Sequence, residues 1–534
     1  MRKSLAAVVV VMTMAALVLS ACGKQPAPGE NPGGTPNAEA SQLVVLIPAQ
    51  NPTIDPASNY NISGEAILPA VYETLVTLSP EGKIEPQLAT SWDVGDGGKT
   101  YTFHLRTGVK FHDGEPFNAA AMKASIERFM AIEKAAAYIF KGPVASIETP
   151  DDNTIVFHLK DAYGDFLISL TSPWAGGAVS PKAVKEHEVN GDHAEAWMNT
   201  HAVGTGPYKV TESVVNEYTM LERNPDWWGW KEVNNSKPIE KILVKTVTEA
   251  ATQRLMLEQG EADIAFGIKV GDYDSLKSNK DLSVQLVTTG NARMLTFNTK
   301  RAPFNNPKVR QALSYAFPYD DAVASYGGGA KRIIGQLPEG MAGHDPSLPV
   351  YTTDLEKAKQ LLKEAGVAEG LEVDYTWVTG EEDGRKVAEL WQANLKQIGV
   401  DLNIREISIS TFIDQIKSPE TAADVQAHYW EPDYADFMAI DGIMYDSRFA
   451  EPAGANYAFY SNPQVDALLD KIKVEADQAK RNDMIKQAQT IILQDAPDVW
   501  VAYVPLLVGV RKSVQNYVYH PFFEWKVNYA QITK

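Results

Sequence analysis

Residues 385–404, RKVAELWQANLKQIGVDLNI, decide the fold class. Val387, Leu390, Trp391, Leu395 and Ile398 recur at three- and four-residue steps and so line one face of a helix. Gly399 stops that helix. Val400, Leu402 and Ile404 then alternate with polar residues, which is the two-residue period of a strand. Helices that feed directly into strands build an α/β fold. The same pattern extends upstream. Asn306-Pro307 opens a helix with a cap and a proline at its first position, and Val309, Leu313 and Ala316 mark its apolar stripe. Thr353 and Glu356 are spaced as a capping box. Leu355, Ala358, Leu361, Leu362 and Ala365 follow on one face, and Gly366 closes that helix.

Toward the N-terminus the period changes. Tyr101 to Arg106 alternates rings and aliphatics with polar residues, after the turn residues Asp96-Gly97-Gly98. Thr154 to Leu159 repeats the pattern after Asp151-Asp152-Asn153. Residues 64–200 therefore read as an α+β region. Leu43 to Ile47 is a continuous apolar run, as expected of a buried strand. No internal repeat of the solenoid kind is visible.

The N-terminal residues point to a compartment. Arg2 and Lys3 precede the uncharged apolar run Leu5 to Leu19, the length of a signal sequence core and short of the ~20 residues that span a bilayer. It ends in Leu19-Ser20-Ala21-Cys22, which resembles the bacterial lipobox, whose cysteine accepts a diacylglycerol. Residues 1–21 are expected to be a signal peptide and Cys22 a lipidated, membrane-anchored N-terminus. Residues 22–41, rich in Pro, Gly, Asn and Ser, form the tether. Cys22 is the single cysteine, which excludes an intrachain disulfide and a thiolate metal cluster. The 534 residues are 44% hydrophobic and 22% charged, a globular composition. A formal charge of −19 argues against a nucleic-acid partner, because phosphate binding needs clustered Lys and Arg.

Several segments, in this order, identify a family. Tyr72-Glu73-Thr74-Leu75-Val76 comes first, then Pro86 to Trp92, Tyr101 to Arg106, and Gly108 to Gly114. Gly204-Thr205-Gly206-Pro207-Tyr208 and Leu221 to Pro225 follow, and then Phe297-Asn298-Thr299, Val309 to Leu313, and Ala358 to Gly366. Together they resemble the family 5 extracellular solute-binding proteins of bacterial ABC importers, which carry oligopeptides, dipeptides, nickel or oligosaccharides. The resemblance implies a two-lobed, periplasmic-binding-protein-like α/β fold of the cluster C type, with an extra α+β lobe inserted in lobe I. The expected order is lobe I at 42–63, the extra lobe at 64–200, lobe I again at 201–290, lobe II at 291–500, and a return to lobe I at 501–534. It also implies a monomeric receptor with no cofactor and no chemistry of its own, whose partners are a permease and separate ATPase subunits.

The resemblance also suggests a site. Tyr429-Trp430-Glu431-Pro432-Asp433-Tyr434 matches a segment in which a Trp precedes by three residues the Asp that pairs with a peptide's α-ammonium. Asp433 is then the anchor, with Trp430 and Tyr434 beside it as cleft walls. A buried ammonium needs an opposite charge, or its desolvation is costly. The alternative is that Asp433 caps a turn and Trp430 is core. Tyr60, Ser63 and Gly64 resemble a second ligand-meeting segment or, equally, a plain loop. The peptide main chain would add as a strand to an exposed edge. One departure stands out. Dipeptide-type relatives place a carboxylate-clamping arginine just before the helix that begins here near Arg385, and Val378-Thr379-Gly380 occupies that place. This favours longer peptides, or an oligosaccharide or metal chelate.

Other motifs yield less. Gly98-Lys99-Thr100 ends like a phosphate loop, but Asp93 stands where the first glycine belongs and a strand follows, so a hairpin is expected. His187, His193 and His201 fit no i, i+4 ligand spacing and read as solvated surface. Trp227-Trp228-Gly229-Trp230 suggests sugar stacking or, as in the family, a structural role. No G-x-S-x-G nucleophile motif appears. A hydrolase on the same scaffold is the competing functional class.

Overall fold

The computed structural model describes residues 42–450, 454–475 and 477–534. The expected signal peptide, the lipidated Cys22 and the tether to residue 41 lie outside the described residues.

The apolar run 43–47 forms β1 (Gln42–Ile47), with Leu43, Val45, Leu46 and Ile47 buried between covered faces. The chain then builds a separate unit. β2 (Val76–Leu78) and β3 (Ile84–Pro86) pair as a small hairpin. β4 (Ala89–Gly95), β5 (Thr100–Leu105), β6 (Val144–Asp151) and β7 (Thr154–Leu159) form an antiparallel sheet in the order β4-β5-β7-β6. The alternation seen in the sequence turns Tyr101, Phe103, Ile155 and Phe157 inward, against Met122, Ile126 and Phe129 of the helix Ala119–Ile132. Residues 96–98 are the turn between β4 and β5, so Gly98-Lys99-Thr100 lies in a hairpin, as expected.

The main sheet resumes with β8 (Tyr208–Val214), β9 (Tyr218–Arg223), β10 (Lys241–Thr246) and β11 (Ile264–Ile268). β12 (Leu282–Phe297) crosses into the second half, which adds β13 (Lys331–Arg332), β14 (Leu371–Val378), β15 (Val400–Ile407) and β16 (Val425–Trp430). β17 (Asp498–Arg511) crosses back. Among the described residues the main sheet has eleven strands, in the order β15-β14-β16-β12-β17-β11-β1-β10-β9-β8, with β13 on β17.

Two strands thus belong to both halves. Leu282–Thr288 of β12 pairs with Pro505–Arg511, and Ala292–Thr296 pairs with Asp498–Tyr503. Between Thr288 and Ala292 the register breaks. Such irregularities bend a strand and weaken its ladder locally. Each side of the break has its own core. Lobe I packs β1, β10 and β11 with Trp525, Val527 and Tyr529 of the C-terminal return. Lobe II packs β14 and β15 with Val309, Leu313, Leu361, Trp391 and Leu395.

Two expectations need correction. The helix Leu355–Glu364 is capped by Asp354, whose carboxylate accepts from the Lys357 N–H at 2.9 Å. Thr353 instead donates its hydroxyl to the Phe317 carbonyl at 2.7 Å, so a tertiary contact takes the expected cap and the acid one residue on replaces it. The inserted unit is also narrower than 64–200. Ala66 to Tyr72, Val179 and Met198 pack in the lobe I core, while the inserted core runs from Leu75 to Ala178 with Ala57 added. The helix Pro307–Tyr315 keeps its expected cap, with Asn306 accepting from the Lys308 N–H at 3.0 Å.

Candidate functional site

β14, β15 and β16 run parallel and end together at Val378, Ile407 and Trp430. The loops beyond the carboxyl ends of parallel strands are where α/β sheets hold ligands. The loop after β16 is Glu431-Pro432-Asp433-Tyr434. Pro432 has no N–H to offer the ladder, so pairing stops and the chain turns toward lobe I.

Asp433 is 6% exposed. Its Oδ2 accepts a hydrogen bond from the Tyr60 hydroxyl of lobe I at 2.6 Å and another from the Tyr138 hydroxyl of the inserted lobe. One carboxylate therefore joins three parts of the chain. Burial pushes its pKa up, and the two phenol O–H groups oppose that shift. Among the described residues it forms no ion pair with a basic side chain. Next to it, the Tyr434 hydroxyl meets that of Tyr163 at 3.2 Å, a second contact between lobe II and the inserted lobe.

Tyr60 stands on Trp174 edge-on, with ring centroids 5.9 Å apart, and the Trp174 indole donates to the Asn61 carbonyl at 3.2 Å. Ser63 and Gly64, expected beside it as ligand contacts, belong to the framework beneath. Ser63 donates to the Gln50 carbonyl at 2.9 Å and to Asn51 at 3.2 Å. Gly64 lies so close to Asn59 that an added Cβ would come within 2.6 Å of its amide oxygen. The expected loop is in fact a short 3-10 helix, Ile62–Ala66, and close packing takes up both residues. Trp430 is half-buried; its indole donates to the Ala439 carbonyl at 3.2 Å and its ring lies 6.4 Å from Tyr457.

Several groups here gave no sequence signal. Glu65, on the 3-10 helix, is buried and accepts from the Trp525 N–H at 2.9 Å. Glu524, on the C-terminal return, is buried, and Glu431 comes from the loop after β16. Burial pushes Glu65 up to about 8 and Glu524 up to about 7. Burial first, and then Glu524, Glu65 and Asp433, push Glu431 well above the usual carboxylate range. Arg293 on β12 faces this cluster but is held by Asp383 and Asn291, each at 2.8 Å. Only the position of Glu431, between Trp430 and Asp433, could have drawn attention to it.

The remaining candidates are structural. Arg385 is exposed and pairs with Glu382 and Glu389 along its own helix. The Trp227 and Trp228 indoles both donate to Glu73, at 3.0 and 3.1 Å, and Trp230 donates to the Asn224 carbonyl. His187 and His201 both stack on Trp197, at centroid distances of 3.9 and 4.6 Å. No helix among the described residues is long and apolar enough to cross a membrane.

Comparison with known proteins gives this geometry a family. Residues 83–448 match the profile of the bacterial extracellular solute-binding proteins, family 5 Middle. The chain is 27% identical over 504 residues to the probable D,D-dipeptide-binding periplasmic protein DdpA of Escherichia coli, covering 93% of this chain and 95% of that one. It is 29% identical over 486 residues to the glutathione-binding protein GsiB of Salmonella typhimurium, covering 90% and 91%. Its fold matches that of the periplasmic binding protein DppA of Helicobacter pylori in complex with the peptide STSA, with TM-score 0.76, 28% identity, and coverage of 91% and 98%. The family is one of solute-binding proteins rather than enzymes, which removes the hydrolase reading. The chain belongs to the family 5 bacterial extracellular solute-binding proteins.

Proposed function

We propose that this protein is the lipid-anchored, extracytoplasmic receptor of an ABC importer, and that it carries peptides whose α-ammonium is neutralised by Asp433. The observation that supports this best is a buried carboxylate at the meeting of three lobes that has hydroxyl donors but no cation of its own. A ligand ammonium supplies the missing charge, and closing the lobes over it excludes water, which strengthens the pair. Tyr60 and Tyr138 orient the carboxylate, and Trp430 and Tyr434 shape the wall beside it. Closure occurs by flexing at the register break in β12, and the closed form is what the permease receives, with separate ATPase subunits driving transport. The ligands named for these relatives, a D,D-dipeptide, glutathione and the peptide STSA, are all peptidic. The anchor is Cys22, cleaved free of residues 1–21.

The test is calorimetry of the purified body with a free-amine peptide and with its N-acetylated form. Acetylation is expected to abolish binding, and Asp433→Ala to weaken the free peptide at least tenfold, roughly the effect of leaving a buried charge unpaired. Equal affinity for the acetylated peptide would remove the ammonium anchor from the reading.

A further inference from the structure

We infer that the cavity between Glu431 and Glu524 is a side-chain pocket for a basic residue of the bound peptide, Lys or Arg. This rests on the peptide reading above and adds a selectivity to it. The cavity encloses about 160 Å³ and lies where the crossing strands meet the loop after β16. Thr289 of β12, Tyr503 of β17 and Phe522 of the C-terminal return line it together with the two glutamates. Rings and strand backbone make its wall, which suits the apolar stem of a long basic side chain. The carboxylates then receive the charged end.

The polar groups here are short of partners. Glu524 is 7% exposed and lines the cavity, and its Oε1 has no hydrogen-bond partner. Glu65, 1% exposed and close enough to Glu524 to feel its charge, also has an unpartnered Oε1. Buried polar atoms in native proteins are seldom left so. The nearby cations are already engaged. Arg293 is held by Asp383, and Lys526 lies beside Glu65 and Glu85. Lys331 and Glu339 at the rim pair with each other at 2.8 Å. Glu65, Glu431 and Glu524 thus outnumber the two cations that act on them, Lys526 and Arg293, and Arg293 is held by Asp383 as well. Burial pushes Glu524, which lines the cavity, up to about 7, so a cation entering beside it near neutral pH favours loss of its proton.

The experiment moves one lysine, position by position, through an alanine tripeptide and an alanine pentapeptide. Norleucine replaces lysine in a matched set. Calorimetry of the wild-type body at pH 7 should show lysine at one position binding at least tenfold tighter than norleucine, with proton release for the lysine peptide alone, read from buffers of different ionisation heat. E431Q and E524Q should each shrink that ratio below threefold. Both variants remove like-charge repulsion, and melting curves establish that they fold. If lysine and norleucine peptides bind within threefold at every position, or if both variants keep the full ratio, the pocket is not a cation site and the peptide reading stands without it. If no peptide of either set binds, the peptide reading falls and this inference with it.

Discussion

Lobe II meets the rest of the molecule through two acidic seams that differ in where their positive charge comes from. In one, Arg481 of the helix Gln478–Asp495 reaches Asp165 of the inserted lobe at 2.5 Å and forks onto Asp436 at 2.8 and 2.9 Å. All three residues are buried. Burial and then Asp436 push Asp165 well up, while the Arg481 guanidinium beside both carboxylates opposes that shift and supplies the seam's positive charge from within the chain. The other seam holds Asp433, Glu431, Glu524 and Glu65; of the cations near it, Arg293 is held by Asp383, and Lys526 lies beside Glu65 and Glu85. Both seams appear as runs of buried acid. One is a fastening complete in itself, and in the proposed function the other is completed by the charge of a bound cation. Counting carboxylates would not separate them; tracing the partner of each one does.

The largest expected effect comes from breaking the first seam. Arg481→Ala leaves two buried carboxylates without their counterion, a loss of ~3–5 kcal/mol for pairs of this kind. Urea unfolding should show it as a lower midpoint. Adding Asp165→Asn and Asp436→Asn to Arg481→Met should recover most of the loss, because a buried ion pair replaced whole is often neutral in effect. A loss below ~1 kcal/mol for Arg481→Ala would mean that the seam is not held by charge, and the contrast with the second seam would collapse.

The second seam should respond to pH, with the opposite sign from an ordinary salt-bridged acid. Glu524 rises from 4.5 to about 7 on folding, so the folded protein binds more protons than the unfolded chain between those values. The stability these two groups contribute is then fully present below about pH 4.5 and is lost as pH rises through about 7, with Glu65 extending the loss toward 8. Glu524→Gln removes one titrating group. It should leave stability near pH 4.5 unchanged and raise it at pH 8 by roughly 1–3 kcal/mol, at about 1.4 kcal/mol per pKa unit. Melting temperatures of both proteins from pH 4.5 to 8 decide the matter. Parallel curves would show that Glu524 titrates as it does in the unfolded chain and that the cluster is already compensated.

The difference between the seams also sets what could be read in the sequence. Local periodicity predicts strands over 101–106, 154–159 and 400–404 and helices from 307 and near 385, because those patterns depend on near neighbours, and the elements found are Thr100–Leu105, Thr154–Leu159, Val400–Ile407, Pro307–Tyr315 and Glu382–Gln397. The resemblance at 430–433 singles out Asp433 as an ammonium anchor, and its carboxylate is held by Tyr60 of lobe I and Tyr138 of the inserted lobe. Tyr138 was missed because a tyrosine in a short helix carries no mark of a partner 295 positions away. Glu65, Glu431 and Glu524 were missed for the same reason: among 68 acidic residues, nothing local distinguishes three that the crossing strands bring together. The segment around Ser63 and Gly64 resembles a ligand-meeting one or, equally, a plain loop, and the packing of Asn51 and Asn59 against these two residues is tertiary and leaves no local mark.

The smallest expected effect is at Arg385, and it sharpens the comparison by supplying a charge that belongs to neither seam. Its guanidinium meets Glu382 at 3.2 Å and Glu389 at 2.7 Å along the exposed face of its helix. Solvent screens such pairs, and the ordering of two long side chains offsets most of what remains. Arg385→Ala should therefore leave the melting temperature within about a degree and peptide affinity within about twofold. If a peptide with a free carboxylate instead lost tenfold or more while its amide did not, Arg385 would be a carboxylate clamp after all. The cleft would then fix both ends of its ligand, and the acidic seam would no longer be the chief source of selectivity.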